Sequence, residues 1–194
     1  MHHSVTIGRG AAFERVEIDR WQEDVRRATA DMGQRLSFMT AEHHSVRNYA
    51  VTALARLGQP LTIDKIAEHV GIAASRVLQV VEELERSLFF LVRNSYSDVA
   101  WAFPVTADST PHRLSFRDGT TIFGACAEDA FAAPWVLGRL ADIQTVCGQS
   151  GRALSLTVGS DLTWQIHSEG AEPLLFTPSV SWPEFRGANI IDHY

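Results

Sequence analysis

The chain has 194 residues, of which 45% are hydrophobic and 21% are charged. This composition is typical of globular proteins and excludes a disordered or collagen-like chain. The formal net charge of −6 disfavours attraction to nucleic acid or to an anionic membrane surface.

Two further features bound the class of protein. No run approaches the roughly 18 apolar residues of a membrane-spanning helix, and the first ten residues lack the apolar core of a secretory signal. We therefore expect a soluble, cytoplasmic protein. The only cysteines are Cys126 and Cys147, which excludes a disulfide-stapled scaffold and a four-cysteine zinc site.

The first half of the chain is predicted to be helical. Apolar residues near helical spacing predict an amphipathic helix over residues 13–31. A second helix is predicted over residues 42–57, where Gly58 ends it and Pro60 prevents its continuation. The adjacent His43 and His44 are interpreted as solvated.

A helix-turn-helix pattern follows in the segment PLTIDKIAEHVGIAASRV at residues 60–77. Thr62 is predicted to cap a helix over residues 63–70, and Ser75 to cap another over residues 76–88. A hairpin is predicted over residues 88–105, turning near residues 94–98.

Three helices followed by a hairpin predict a winged-helix-like domain at residues 42–106, preceded by a helical extension at residues 1–41. DNA binding by residues 76–88 is one interpretation of this domain. That helix carries Arg76, Gln79 and Arg86 against three glutamates, a net charge of −1. Because phosphate contacts dominate DNA affinity, a structural or interaction role is favoured.

From residue 107 onward the pattern changes to short strands. Alternation predicts strands over residues 112–116, 120–124, 143–147, 153–158, 163–167 and 174–180, and one helix over residues 127–140 that is broken or redirected at Pro134. Asp118 and Gly119 are typical of a hairpin turn. The predicted fold class is therefore α+β, with a mixed α/β domain of short antiparallel strands at residues 107–194.

Cys126 is the most informative residue of this second domain. It follows an apolar strand-like run at the predicted start of a helix, where backbone N–H groups and the helix dipole favour a thiolate and lower the thiol pKa. Asp129 lies three residues later, on the same helix face. The pair could bind a soft metal and transfer a proton, or it could be a buried cysteine beside an aspartate that stabilises the helix start.

The segments on both sides of Cys126 and Asp129 are informative as well. The segment PHR at residues 111–113 is followed by IFGACAED at residues 122–129, Pro134, LGR at 137–139, IQTVCGQSG at 143–151 and LSLTV at 154–158. In order and spacing these segments resemble the organomercurial (alkylmercury) lyase family. The resemblance extends from about Val46 to the C-terminus.

The resemblance implies protonolysis of a carbon–mercury bond, with a winged-helix-like domain preceding the domain that holds the active site. It implies that Cys126 binds the mercury and that Asp129 delivers a proton to the leaving carbon. No organic cofactor is implied, because mercury is part of the substrate and is released as the product ion. The implied partner is a small organomercurial or a soft metal ion, with no nucleic acid and no membrane.

The sequence departs from the family at the second catalytic thiolate, which the resemblance implies late in the domain. The comparable residues 181–194 contain no cysteine, and Cys147 matches a family cysteine regarded as structural. We therefore expect a divergent or C-terminally truncated member. Cys147, His112, or His193 with Asp192 are candidate replacements for the second ligand.

Three other functions remain open. The protein could be a winged-helix regulator that senses a soft metal and binds DNA. It could be a non-catalytic protein that binds a soft metal, or a degenerate family member with an interaction role only.

Overall fold

The computed structural model describes residues 4–9, 12–17, 34, 36–88, 91–147, 151–161 and 163–168. It contains strands β1 (Ser4–Arg9) and β2 (Ala12–Glu17), helices α1 (Ala41–Leu57), α2 (Ile63–Val70) and α3 (Ala74–Leu88), strands β3 (Leu91–Arg93), β4 (Val99–Ala102), β5 (Val105–Thr106), β6 (Arg113–Phe116) and β7 (Thr121–Phe123), helix α4 (Ala127–Val136), and strands β8 (Ala141–Val146), β9 (Ala153–Val158) and β10 (Trp164–Ile166).

The predicted helix over residues 13–31 was wrong for residues 13–17, which the structure describes as a strand. Strands β1 and β2 form an antiparallel pair with Arg9 opposite Ala12, so residues 13–17 are extended rather than helical. An apolar pair three residues apart, Phe13 and Val16, fits a helix period but does not exclude a strand. The rest of the predicted helix, residues 18–31, lies outside the described residues.

The next three helices agree with the predictions in position. Helix α1 ends at Gly58, whose φ of 61° places it in the left-handed region that glycine adopts without strain. Thr62 caps α2, since its side chain accepts a hydrogen bond from the backbone N–H of Lys65 at 3.3 Å. Helix α3 differs, because it begins at Ala74; Ser75 is therefore inside the helix and is not its cap.

One histidine interpretation was also wrong. His43 is only 2% exposed, and its Nε2 lies 2.7 Å from Oε2 of Glu83. This contact joins the start of α1 to α3. The sequence could not show it, because the two residues are 40 positions apart.

Eight strands form one antiparallel sheet in the order β10-β9-β8-β6-β7-β5-β4-β3. The predicted hairpin is present as β3 and β4, and Asn94 closes its turn by donating its backbone N–H to the carbonyl oxygen of Asp98. The order of three helices and a hairpin agrees with expectation, while the winged-helix class and the domain boundary at residue 106 stay predictions. The sheet itself continues across that boundary.

One face of the sheet is packed against the helices. Helix α1 contacts β4, β5 and β7, and α4 contacts β5 and β8. The core on this face includes Leu114, Phe116, Ile122, Ile143, Leu156 and Val158 from the strands, with Ala130 and Ala133 from α4. The α+β class is confirmed. Cys126 lies in the short connection between the end of β7 and the start of α4.

Helix α4 is shorter than the prediction of residues 127–140. It passes through Pro134 without breaking and ends at Val136. Arg139 then anchors the following turn, since its guanidinium lies 4.1 Å from the ring centroid of Phe116 and 2.7 Å from a carboxylate oxygen of Asp118.

Candidate active site

Cys126 is the residue that caps the N-terminus of α4. Its backbone is extended, with φ of −138° and ψ of 178°, and its sulfur accepts a hydrogen bond from the backbone N–H of Asp129 at 3.4 Å. The side chain is buried, at 9% exposure. The predicted position of this thiol at a helix start agrees with the structure.

Asp129 faces Cys126 from the first turn of the same helix. It is 4% exposed, and its backbone N–H donates to the sulfur of Cys126 at 3.4 Å. The sulfur thus takes the place of a serine or threonine oxygen as the cap, and it satisfies an N–H group at the helix start that would otherwise lack a partner.

Burial sets the protonation state of Cys126 in the direction opposite to the sequence prediction. Removal from water raises the pKa of this thiol to about 12, and the negative charge of Asp129 raises it further, while the backbone N–H groups at the helix start lower it by less. The expected low thiol pKa was wrong. At neutral pH the sulfur is a thiol, not a thiolate.

Asp129 is shifted in the same direction and for the same main reason. Burial raises the pKa of its carboxyl group to about 7, with a further contribution from the neighbouring charge of Glu128. A large fraction of the molecules therefore keeps this carboxyl protonated at neutral pH. Such a group is suited to donate a proton, because its pKa is close to the working pH.

Gly124 allows the close packing of this site. A Cβ atom at Gly124 would lie 2.5 Å from the backbone nitrogen of Ala130, a separation that real Cβ contacts do not show. The end of β7 can therefore touch the first turn of α4 only because residue 124 has no side chain. Gly124 was not among the predicted site residues, although a glycine between a predicted strand and a predicted helix signals a close backbone approach.

Cys147 is not a sheet neighbour of Cys126. It follows β8, where its backbone N–H donates to the carbonyl oxygen of Arg152 at 2.8 Å. Strand β6 lies between β7 and β8, so the strands that lead to the two cysteines are separated by two strand spacings, roughly 10 Å. Cys147 is half-buried and reduced.

His112 lies between these two strands. Its carbonyl oxygen accepts the backbone N–H of Gly124 at 2.9 Å, and its Nδ1 is 2.7 Å from the hydroxyl oxygen of Thr145. Partial burial lowers the pKa of this imidazole, so the ring is neutral at pH 7. His112 thus borders the turn that leads to Cys126. His193 and Asp192 lie outside the described residues.

The part of the chain that the structure describes contains no cluster of three or more His, Cys, Asp and Glu side chains arranged to hold a metal ion. An open depression of about 370 Å³ is present elsewhere, bordered by Arg113, Gln144, Ser155 and Val146. These side chains lie on the sheet face opposite to α4. The depression is therefore separate from the Cys126–Asp129 pair.

Three arginines of the predicted winged-helix-like domain have acidic partners within the protein. Arg76 lies 2.7 Å from a carboxylate oxygen of Glu42, and Arg93 lies 2.8 Å from one of Glu85. Arg86 lies 3.8 Å from Glu82. These contacts reduce the positive charge that this surface could offer to phosphates.

Comparison with known proteins identifies relatives of the domain that holds the pair. The family model for alkylmercury lyase matches residues 105–171. An alkylmercury lyase of Staphylococcus epidermidis is 27% identical over 121 residues, which are 62% of this chain and 53% of the relative. An alkylmercury lyase of Pseudomonas putida is 27% identical over 138 residues, which are 70% of this chain and 62% of the relative. The chain thus spans between half and two thirds of the length of these curated relatives.

A solved structure has a similar fold. The crystal structure of the mercury-bound form of MerB2 superposes with a TM-score of 0.60 at 20% identity, covering 70% of this chain and 64% of the other. Together with the two curated relatives, it confirms the resemblance predicted from the sequence. No helix among the described residues has the length and apolar character needed to cross a bilayer.

Proposed function

Because the chain is a divergent relative of the alkylmercury lyases, we propose that it cleaves carbon–mercury bonds by protonolysis at Cys126 and Asp129. The observation that carries this proposal is the burial of Cys126 and Asp129 together at the start of α4, where the Cys126 sulfur accepts the backbone N–H of Asp129. A soft ligand and a proton donor are thereby held side by side, away from water.

The first step is binding of the organomercurial cation to the sulfur of Cys126. Mercury is a soft metal and prefers sulfur ligands, so it can displace the thiol proton even though burial raises the thiol pKa to about 12. The displaced proton passes to Asp129 when that carboxyl is ionised, or to solvent. A mercury–sulfur bond forms as the sulfur–hydrogen bond breaks.

The second step is transfer of the Asp129 proton to the carbon bonded to mercury. The electron pair of the carbon–mercury bond becomes that of the new carbon–hydrogen bond, so the hydrocarbon leaves and mercuric ion stays on the Cys126 thiolate. Asp129 becomes a carboxylate and is protonated again from solvent. Its pKa of about 7 supports this role, because both of its protonation states are accessible near neutral pH.

We propose that a low-molecular-weight thiol supplies the second sulfur for the mercury. Two sulfur ligands donate more electron density to the metal than one and weaken the carbon–mercury bond further. Since β6 separates the strands that lead to Cys126 and Cys147, the protein's own second thiol is less well placed. An external thiol also gives the product ion a ligand with which to leave.

The test is release of benzene from phenylmercury in the presence of excess thiol. We expect release by the wild type. In the Cys147→Ser background we expect loss of mercury binding and release in Cys126→Ser, and retained binding without release in Asp129→Asn. Cys147→Ser is the matched control and should release benzene at the wild-type rate. A folded protein that binds mercury and releases no hydrocarbon would contradict the proposal and favour a non-catalytic soft-metal-binding protein.

A further inference from the structure

Thr110 lies in the segment between β5 and β6, and its hydroxyl group joins two backbone segments. The hydroxyl donates to the carbonyl oxygen of Gly124 at 2.6 Å and accepts the backbone N–H of His112 at 3.1 Å. Gly124 in turn donates its backbone N–H to the carbonyl oxygen of His112 at 2.9 Å. Both peptide groups that flank the Gly124 α-carbon are therefore fixed.

The position of Gly124 is transmitted directly to the candidate active site. There is no space for a Cβ between Gly124 and Ala130, so the glycine backbone is in contact with the first turn of α4. That turn contains Cys126 and Asp129. Because packed interiors have few voids, a shift of the Gly124 peptide must displace the turn or open a gap beside it.

We propose that Thr110 is a positioning residue for the Cys126–Asp129 pair and acts through Gly124. The role of this positioning in catalysis rests on the function proposed above. The contacts of Thr110 and Gly124 are independent of that function. Without the hydroxyl, the Gly124 carbonyl and the His112 N–H lose their partner and recruit water, since unpaired buried polar groups are costly. Water at this point loosens the contact between Gly124 and α4 and thereby exposes Cys126 and Asp129, which are otherwise buried.

The inference is tested by the rate of alkylation of Cys126 by iodoacetamide between pH 7 and pH 11. The background variant Cys147→Ser leaves Cys126 as the only thiol. We expect Thr110→Val to be alkylated about tenfold faster at pH 8, because displacement of the first turn of α4 opens the buried sulfur of Cys126 to the reagent. Thr110→Ser keeps the hydroxyl and should retain the profile of the background variant.

Thr106→Val is the matched control. Thr106 makes the same two kinds of hydrogen bond, donating to the carbonyl oxygen of Ala100 at 3.2 Å and accepting the backbone N–H of Asp108 at 3.1 Å. Neither partner is Gly124. We expect Thr106→Val to keep the alkylation profile even where urea denaturation shows lower stability.

An unchanged alkylation profile in Thr110→Val, or equal acceleration in Thr106→Val, overturns the inference. Thr110→Ala takes the place of Thr110→Val if the latter does not fold. Failure of both to fold while Thr106→Val folds also overturns it, because Thr110 would then be required by the whole fold. The alkylation assay uses no mercury, so a shifted profile without benzene release refutes the proposed function and leaves this inference standing.

Discussion

At the scale of single residues, the site depends on one spacing that serves two purposes. Cys126 caps the start of α4 by accepting the backbone N–H of Asp129, and the spacing of three positions also places a sulfur and a carboxyl group in the same helix turn. The capping role requires only hydrogen-bonding atoms. The proposed chemistry additionally requires a soft sulfur and a carboxyl that is protonated near neutral pH.

These two roles separate on substitution of Cys126. We expect Cys126→Ser to keep its free energy of unfolding within about 1 kcal/mol of the wild type, because serine is a good N-terminal cap. Cys126→Val has no capping atom and should lose about 1–2 kcal/mol. Urea denaturation measures both, and isothermal titration in the Cys147→Ser background should show that neither variant retains tight mercury binding. Equal stability of the two variants would argue against the capping role.

The protonation of Asp129 predicts how hydrocarbon release depends on pH. Burial raises the pKa of this carboxyl to about 7, so the proton-donating form is lost as pH rises through that value. We expect the single-turnover rate of benzene release to fall about tenfold per pH unit above pH 7. An ordinary aspartate would already be ionised near pH 4. A rate that stays constant from pH 6 to pH 9 would rule out Asp129 as the rate-determining proton donor.

At the scale of elements, helix α4 is held at both ends. Its first turn packs against Gly124 at the end of β7, and Arg139, just beyond its last turn, contacts Phe116 and Asp118 at the β6–β7 hairpin. The intervening residues Ala130 and Ala133 bury the helix against the sheet. The geometry of the Cys126–Asp129 pair is therefore a property of how α4 meets β7.

Gly124→Ala should disturb this junction. The added Cβ must move the backbone of Ala130, since no flexible side chain can give way, and we expect a loss of about 1–3 kcal/mol in the free energy of unfolding. Mercury binding should weaken at the same time. Gly71→Ala is the control, because Gly71 has a φ of 77° but nothing within 4 Å of an added Cβ. That variant should lose stability through backbone strain and keep mercury binding.

At the scale of the whole molecule, one sheet joins the helix-turn-helix region to the region that carries Cys126. Strands β3 and β4 of the hairpin are continuous with β5, β7 and β6, and both regions contribute to one hydrophobic core. The first three helices therefore support the site by packing on its sheet. On α3, Arg76 and Arg86 form ion pairs with Glu42 and Glu82.

This charge pairing predicts that the protein does not bind duplex DNA in a salt-sensitive manner. Arg76, Arg86 and Arg93 contact glutamates, so their positive charges are less available to DNA phosphates. The net charge of −6 also repels the DNA backbone. We expect fluorescence anisotropy at low salt to show no affinity stronger than about 10⁻⁴ M, the weak end of non-specific binding. Tight binding that weakens steeply with added salt would contradict this and support a regulatory role.

The sequence by itself determined most of the local structure between residues 41 and 158. Glycines and capping residues marked the ends of α1 and α2, and alternation located β9 at its observed bounds, because these signals arise from neighbouring residues. It also placed Cys126 and Asp129 on one helix face through their spacing, while the resemblance to the alkylmercury lyases gave the pair its predicted role. The N-terminal strands were missed because two apolar residues three apart, Phe13 and Val16, did not distinguish a helix from a strand.

Only the tertiary structure decided the chemical state of the pair. The position of Cys126 at a helix start predicted a low thiol pKa, whereas burial between α4 and the sheet raises it to about 12 and raises that of Asp129 to about 7. The roles of Gly124 and Thr110, and the burial of His43, likewise depend on contacts between distant segments. Desolvation is set by everything packed around a group, and a sequence pattern describes only its chain neighbours.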